Sequence, residues 1–598
     1  MELLRVAGGF DLRLKGRAVM SHRADSPCLF IGRGDISVED YVTARIPLDQ
    51  AKIDGNQIRL SAAGGQTVSL TIGGGTENMR LSLRCDDHSF NRLWIRLAAE
   101  PDELVWGGGA QTTFFDLRGR RHAVCSGAER SILYAQPTFL TSRRLAFHLN
   151  DTSFSALDFR HRDFHEIEVW AIPERIEFWA RDNFPDLVMA MAERFGRQPP
   201  LPDWAISGAI VGFKDGDNSF ARLERCLAAG AVVSGLCCED WTGIRQTSSG
   251  IQPFWDWRWN PSRYPDLSER IKALAAEGIR FLAYVNPYLC TDGALYPEAE
   301  KQGYLVAQPP IDCGEFECGM LDLDNPQAIA WFEDQIIGRN MLELGIKGWM
   351  ADGGDHAPAG NVWPVRWSAA NQSAIAKKGD FDLLFFARRG GAGTQAHCPL
   401  LWTGRQGGIP AAIRAALSAG LLGNAYHHGE IGAGGPEMLQ RWIEMAAFSP
   451  VMRSHEGDRP LDNPQIDDPE ILEHFARMTR LHHALGPYLR KLVDEAAAGG
   501  LPLQRPLFLH FEEDRRTYDI QSEYLLGADL LVAPVLEIDR DHWNAYLPEG
   551  TRWIHLWSGR SFAGGGTVEV AAPLGQPPVF YRDGAEDAEL FASLSAIL

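Results

Sequence analysis

The run Lys347-Gly-Trp-Met-Ala-Asp-Gly-Gly-Asp355 constrains this chain more than any other stretch, because an apolar segment stops abruptly at a carboxylate, two glycines and a second carboxylate. It reads as a buried strand that delivers Asp352 to a strand end. Upstream, Ile329, Phe332, Ile336, Ile337, Met341 and Leu344 recur at helical spacing and the pattern stops at Gly345. The local unit is therefore helix, tight turn, strand, half of a βαβ repeat. In an α/β barrel the C-terminal strand ends carry the chemistry, which makes Asp352 a candidate catalytic group. The competing reading is an aspartate that merely caps the next turn.

Alternation of strands and helices surrounds this unit from Pro200 onward. Ile206 to Phe213, Val232 to Trp241, Arg280 to Pro287, Asp382 to Arg389 and Pro399 to Gly404 read as strands. Helices are predicted over Asn218–Ala229, Ser262–Glu277, Ile409–Leu421, Pro436–Phe448 and Asp468–Glu495. Polar residues recur at the strand ends and no GxGxxG fingerprint follows the first strand, so a (β/α)8 barrel over 200–496 fits better than an open sheet. A glycine-containing excursion interrupts it at about 289–320. Residues 1–199 carry short alternating segments such as Met79-Arg-Leu-Ser-Leu-Arg84, the pattern of an antiparallel β-sandwich. The Gly107-Gly-Gly109 run within it predicts a loop closely approaching the neighbouring domain's site. Residues 497–598 return to β segments, one or two small antiparallel domains with a final helix starting near Ala585. The predicted fold class is thus a multidomain α/β plus β protein.

Composition narrows the function classes. Lysine plus arginine (58) against aspartate plus glutamate (78) leaves a net charge of −20, which repels nucleic acid and anionic membranes, so neither is an expected partner. An anionic substrate would need a local basic pocket. The first residues lack the basic flank and long apolar core of a signal peptide, and no run approaches the ~18 apolar residues of a membrane span; a cytoplasmic protein is expected. The ten cysteines show no zinc spacing, including Cys237-Cys238 and the pair Cys313 and Cys318. Reduced thiols, no metal and no cofactor are expected. Eighteen tryptophans, several around Trp241, Trp255 to Trp259 and Trp349, suit sugar faces, although tryptophan is equally good core material.

Several segments together resemble glycoside hydrolase family 31, the retaining α-glycosidases, and in particular its sulfoquinovosidase branch. These are Gly348-Trp-Met-Ala-Asp352, Glu239-Asp-Trp-Thr-Gly-Ile-Arg-Gln-Thr-Ser248, Phe281-Leu-Ala-Tyr-Val-Asn-Pro-Tyr288, Phe448-Ser-Pro-Val-Met-Arg-Ser-His-Glu-Gly-Asp-Arg-Pro460, Leu525-Leu-Gly-Ala-Asp-Leu-Leu-Val-Ala-Pro-Val535 and Pro577-Pro-Val-Phe-Tyr-Arg582. The resemblance implies that Asp352 is the nucleophile and that Trp349, Arg388 and His455 line the sugar pocket. It implies that Asp240 or Glu239 binds ring hydroxyls, with Lys214 and Glu239 at places where the branch carries either two glutamines or a Lys and Glu pair. Trp255 matches its sulfonate-pocket tryptophan, and His427 and Glu430 belong to the same pocket. The implied partner is a small carbohydrate; homo-oligomers also occur in the family.

Three positions depart from the family pattern. Trp402-Thr-Gly-Arg405-Gln406-Gly-Gly-Ile-Pro410 has Arg405 where the family carries its acid/base aspartate, followed by a shortened loop. Arginine cannot donate a proton at neutral pH, since its pKa exceeds ~12. Gln252 replaces the sulfonate-binding arginine, and Ala433 stands where a pocket tyrosine is expected. Retaining hydrolysis needs a nucleophile and an acid about 5 to 5.5 Å apart. Arg405 would then hold an anionic leaving group and Gln406 would orient water, or another group would supply the proton: His427, His428, Glu430, Asp355, His356 or His397, all predicted near strand ends on one face. The function expected is a retaining α-glycosidase acting on a polar or anionic α-hexoside, with sulfoquinovose-related sugars as the candidate that the resemblance implies, and with a non-standard acid/base. The alternatives are an inactive sugar-binding protein and a glycosyl-transferring or phosphorolytic enzyme.

Overall fold

The computed structural model describes the chain except residues 36–40, 126–133, 249, 307–308, 354–360, 381, 404–406, 433, 458–462 and 598. Its centre is a sheet of seven parallel strands in chain order: β1 (Ala209–Phe213), β2 (Val233–Cys238), β3 (Arg280–Val285), β4 (Gly348–Ala351), β5 (Leu384–Ala387), β6 (Leu400–Thr403) and β7 (His427–Gly429). All are almost wholly buried, as strands covered on both faces must be. The segment 451–455 closes the barrel with isolated parallel bridges, Ile210 to Arg453 on one side and Ile431 to Ser454 on the other. The Ile210 N–H donates to the Met452 carbonyl at 2.8 Å, and the Ser454 N–H to the Ile210 carbonyl at 3.0 Å. Gly212 is required at this seam, since a Cβ there would meet the Ser454 carbonyl oxygen at 2.5 Å.

Closure puts the residue following each strand on one rim. Lys214, Glu239, Asn286, Asp352, Arg388 and Glu430 follow β1, β2, β3, β4, β5 and β7, and His455 ends the closing segment. The residues following β6, Gly404, Arg405 and Gln406, lie outside the described residues. The helix before β4 begins as Pro326–Trp331 and widens into a π-helix over Phe332–Leu342, and Gly345 at φ +102° makes the turn into the strand. The single long helix expected at 468–495 is two, Leu472–Ala484 and Gly486–Gly499, because Pro487 cannot continue the first.

The N-terminal region is a sandwich of a six-stranded and a nine-stranded sheet over one apolar core. In Asn78–Arg84, Met79, Leu81 and Leu83 are buried while their neighbours face solvent, so alternation is what assembles it. The nine-stranded sheet takes one strand from the barrel: Gly390–Gly391, just past β5, pairs in parallel with Tyr134–Thr141. The Gly107–Gly109 run lies in strand Val105–Gly109 and packs against the barrel's outer helix Gly408–Leu421, not against the mouth. A Cβ on Gly107 would meet the Thr138 carbonyl at 2.5 Å and Leu422 at 3.3 Å. The expected close approach is real, but its target is a helix. Trp106 stacks on Phe508 at 4.4 Å and meets Phe184 and Tyr518, joining the sandwich to the C-terminal segment. The C-terminal region holds a six-stranded sheet and a two-stranded ribbon around their own core, and helix Ala588–Leu594 packs Phe591 edge-on against Tyr488.

The excursion is a three-stranded antiparallel sheet of Tyr288–Cys290, Ile311–Asp312 and Glu317–Met320, with helix Tyr296–Gln302. It stands over the ends of β2 and β3. Among the described residues no helix is long and apolar enough to cross a membrane.

Candidate active site

The strand period of two decides which side chains reach the barrel's interior. In β4 the inward positions end at Asp352, so Trp349 faces outward. It is fully buried, donates its indole N–H to Asn371 at 2.8 Å and stacks on Phe385. The expected role of Trp349 in the sugar pocket is thus corrected: it anchors helix α1 (Trp363–Lys378) to the barrel wall. Asp352 is held at the rim by its own N–H, which donates to the Val285 carbonyl at 3.0 Å. Its carboxylate faces the Arg388 guanidinium at 3.1 Å and accepts from the Tyr284 hydroxyl at 3.3 Å. Burial and the neighbouring carboxylate push the Tyr284 phenol well above its usual pKa, so it stays a donor. The same carboxylate raises Arg388. Asn286 donates to the Tyr284 oxygen at 3.3 Å, completing a chain that fixes the carboxylate's orientation.

A second cluster faces this one. His455 lies between Glu239 and Glu430, bonded to both. Burial alone would strip its proton, but the two carboxylates outweigh burial and push its pKa up to about 9. Burial likewise opposes the Glu239 charge, yet His455 and Lys214, the latter at 3.1 Å, hold that carboxyl far below its usual range. Glu430 also accepts from the Trp402 indole at 2.7 Å and faces Arg453 at 3.6 Å. Arg388 and Arg453 both stand near the Trp402 ring, at 5.3 and 5.1 Å, so one indole joins the clusters.

Other expected site residues lie elsewhere. Asp240 is fully buried and its oxygens are occupied by the Tyr264 hydroxyl, the Arg263 guanidinium and the Gly216 N–H at 3.0 Å, which makes it a brace beneath the rim. His427, an odd number of residues before Glu430, points the other way and bonds Thr403 at 3.0 Å. Burial lowers its pKa to about 3. His428 faces inward but accepts from Arg453 at 2.9 Å, and burial followed by that cation keeps it far below its usual pKa. Neither is a proton donor at neutral pH. His397 precedes β6 and therefore sits at the opposite end of the barrel. Asp355, His356, Arg405, Gln406 and Ala433 lie outside the described residues.

An aromatic cluster stands in the segments that follow β2 and β3. Trp255 stacks on Tyr288 at 5.3 Å and meets Phe316 edge-on at 5.1 Å. Its indole nitrogen is buried and finds no acceptor among the described residues. Gln252 lies beside it on strand Gly250–Pro253, cross-strand from Arg245, whose guanidinium is paired with Asp292 at 2.8 Å. Residues missed from the sequence are Tyr284, Asn286, Trp402 and Arg453. The first three share strand parity with, or lie at, the rim, and that signal could have found them. Arg453 sits in a segment too irregular to show any parity.

With this geometry in view, residues 236–492 match the glycosyl hydrolases family 31 TIM-barrel domain and 500–585 the glycosyl hydrolase family 31 C-terminal domain. The chain is 46% identical to a sulfoquinovosidase of Agrobacterium fabrum over 98% of this chain and 99% of the relative. It is 37% identical to a sulfoquinovosidase of Escherichia coli, over 98% and 97%. A solved family 31 sulfoquinovosidase from E. rectale, in complex with the aza-sugar inhibitor IFGSQ, superimposes with a TM-score of 0.94 at 36% identity, covering 100% of this chain and 99% of that one. The rim of charged strand ends, the two matched domains and relatives aligned from end to end agree that this chain belongs to glycoside hydrolase family 31 and is a glycosidase.

Proposed function

We propose that the enzyme cleaves α-glycosides of sulfoquinovose with retention of configuration, through Asp352. The observation that carries the assignment is a carboxylate at the fourth strand end, oriented by two donors and facing the rim. In the first step an Asp352 oxygen attacks C1 while the C1–O bond to the aglycone breaks and its electron pair leaves with the aglycone oxygen. Water then attacks C1 as the C1–O bond to Asp352 breaks, its surplus proton passing to solvent, so that the sugar leaves as the free hemiacetal and the carboxylate is regenerated. Arg388 and Tyr284 hold Asp352 in line for attack. Glu239 and Glu430 accept ring hydroxyls, with His455 and Lys214 balancing their charge.

Trp255 supports the anionic substituent. Its indole N–H is a buried donor without an acceptor among the described residues, and a sulfonate oxygen would satisfy it. Gln252 and Arg245 stand on the adjoining hairpin. Arg405 occupies the acid's position in the sequence, so the enzyme favours aglycones that leave without a proton. A phenolate leaving group needs little protonation, while an alkoxide loses the factor of about 10² to 10⁴ that general acid catalysis supplies.

The test is hydrolysis of aryl and alkyl α-sulfoquinovosides and aryl α-glucosides, with NMR of the first-formed anomer. Asp352→Asn should lose at least about 10³ in kcat/KM on the aryl sulfoquinovoside. Full activity of that variant, or inversion at C1, would sink the assignment. Preference for the glucoside would sink the substrate class. Saturable binding without turnover would instead mean a sugar-binding protein.

A further inference from the structure

We propose that Cys313 and Cys318 form a reversible dithiol–disulfide pair that sets the rigidity of the Trp255 cluster. The two sulfurs lie 3.2 Å apart across the tip of the excursion hairpin. Cys318 pairs with Ile311 in the ladder, and the Cys313 N–H donates to the Phe316 carbonyl at 2.9 Å, so both thiols lie on one face of a tight turn. A disulfide of about 2.05 Å needs an approach of roughly 1 Å, within the reach of a hairpin tip. Cys318 is fully buried while Cys313 is partly exposed, so reagents meet Cys313 first.

What the turn carries gives the pair a consequence. Between the cysteines, Phe316 meets Trp255 edge-on at 5.1 Å and lies under the Arg245 guanidinium at 4.6 Å. Glu315 accepts from the Ser248 N–H at 3.0 and 2.9 Å, clamping the hairpin that bears Gln252. A covalent bridge would hold these contacts at no further cost in ordering, and so tighten the subsite.

The chemistry uses a low-molecular-weight disulfide as oxidant. The Cys313 thiolate attacks one sulfur and expels a thiolate, forming a mixed disulfide; Cys318, after losing its proton, displaces the second thiolate. Two protein thiols are oxidised, one disulfide is reduced to two thiols, and an excess of dithiol reverses both steps.

Peptide mapping after differential alkylation tests the bridge without reference to activity. Enzyme treated with oxidised glutathione should yield a Cys313–Cys318 linked peptide that dithiothreitol removes. The kinetic effect rests on Trp255 lining the substrate pocket, and it is read separately: KM for the aryl α-sulfoquinovoside should fall about two- to tenfold on oxidation with kcat little changed. Cys313→Ser should fold, retain the reduced enzyme's KM and ignore the oxidant. Absence of the linked peptide at saturating oxidant would overturn the pair. A bridge that forms without moving KM would overturn its coupling to the subsite while leaving the glycosidase assignment standing.

Discussion

At the scale of single residues, the contact between His455 and Glu239 shows how local charge overrides intrinsic acidity. The His455 proton and the Glu239 charge describe one interaction, so their opposite shifts are counted once. Because the folded pKa of His455 rises from 6.5 to about 9, the folded protein holds a proton that the unfolded chain has released between these values. Its contribution to stability is therefore fully present below about pH 6.5 and is lost as pH rises through about 9. Urea midpoints at pH 6 and pH 10 should fall with alkalinity, and His455→Gln should flatten that fall. The same variant should remove an alkaline limb near pH 9 from kcat/KM. Contacts such as this join residues 216 positions apart and could not be read from the sequence. Asp352, Arg388 and Glu239 were nonetheless legible as candidates, since each directly follows an apolar run, whereas His455 follows Arg453-Ser454 and was marked only by the family resemblance. Asp240 was not separable from Glu239, because nothing in two adjacent carboxylates says which faces the rim. Trp349 carries the complementary prediction. Trp349→Phe leaves Asn371 without its donor and should cost about 1 to 3 kcal/mol of stability in thermal melts, with kcat/KM within about threefold of the parent. A large rise in KM with unchanged stability would return Trp349 to the pocket.

At the scale of elements, strand order and barrel closure follow from different signals. Six of the seven parallel strands lie in stretches read from apolar runs, whereas the seventh is only three residues long and the closing segment 451–455 makes single bridges instead of a ladder. Neither leaves a periodic mark. The parallel pairing of Gly390–Gly391 with the sandwich was also hidden, because a two-residue strand has no pattern of its own. It matters for the site: Arg388 lies two residues before it, so docking on the sandwich fixes where β5 ends. A Cβ on Gly390 would lie 2.2 Å from a carbon of the Tyr134 ring, which is fully buried. Gly390→Ala should therefore cost about 1 to 3 kcal/mol through overpacking and displace Arg388 from Asp352. Loss of about tenfold or more in kcat/KM together with a lowered melting temperature is expected. Parent-like kinetics would show that β5 holds Arg388 without help from the sandwich.

At the scale of the whole molecule, a net charge of −20 surrounds a mouth whose described rim groups nearly cancel. Lys214, Arg388, Arg453 and protonated His455 stand against Asp352, Glu239 and Glu430. Within the rim, an incoming anion meets local donors at close range, where ionic strength screens little. Farther out it meets the summed field of the molecule, which falls away over about 10 Å at 0.1 M salt and about 30 Å at 0.01 M. The two distances separate experimentally. For an aryl α-sulfoquinovoside, kcat/KM should rise as salt increases from about 0.01 to 0.15 M, because screening weakens the repulsion that opposes approach. A neutral aryl α-glucoside should show no such rise, which excludes a salt effect on the fold. The gain should lie in kcat/KM and leave kcat unchanged, since the bound substrate already sits within the rim, where ionic strength screens little. A fall in kcat/KM with salt for the anionic substrate would mean that the rim attracts anions from beyond contact distance, and that cations outside the described groups dominate the mouth.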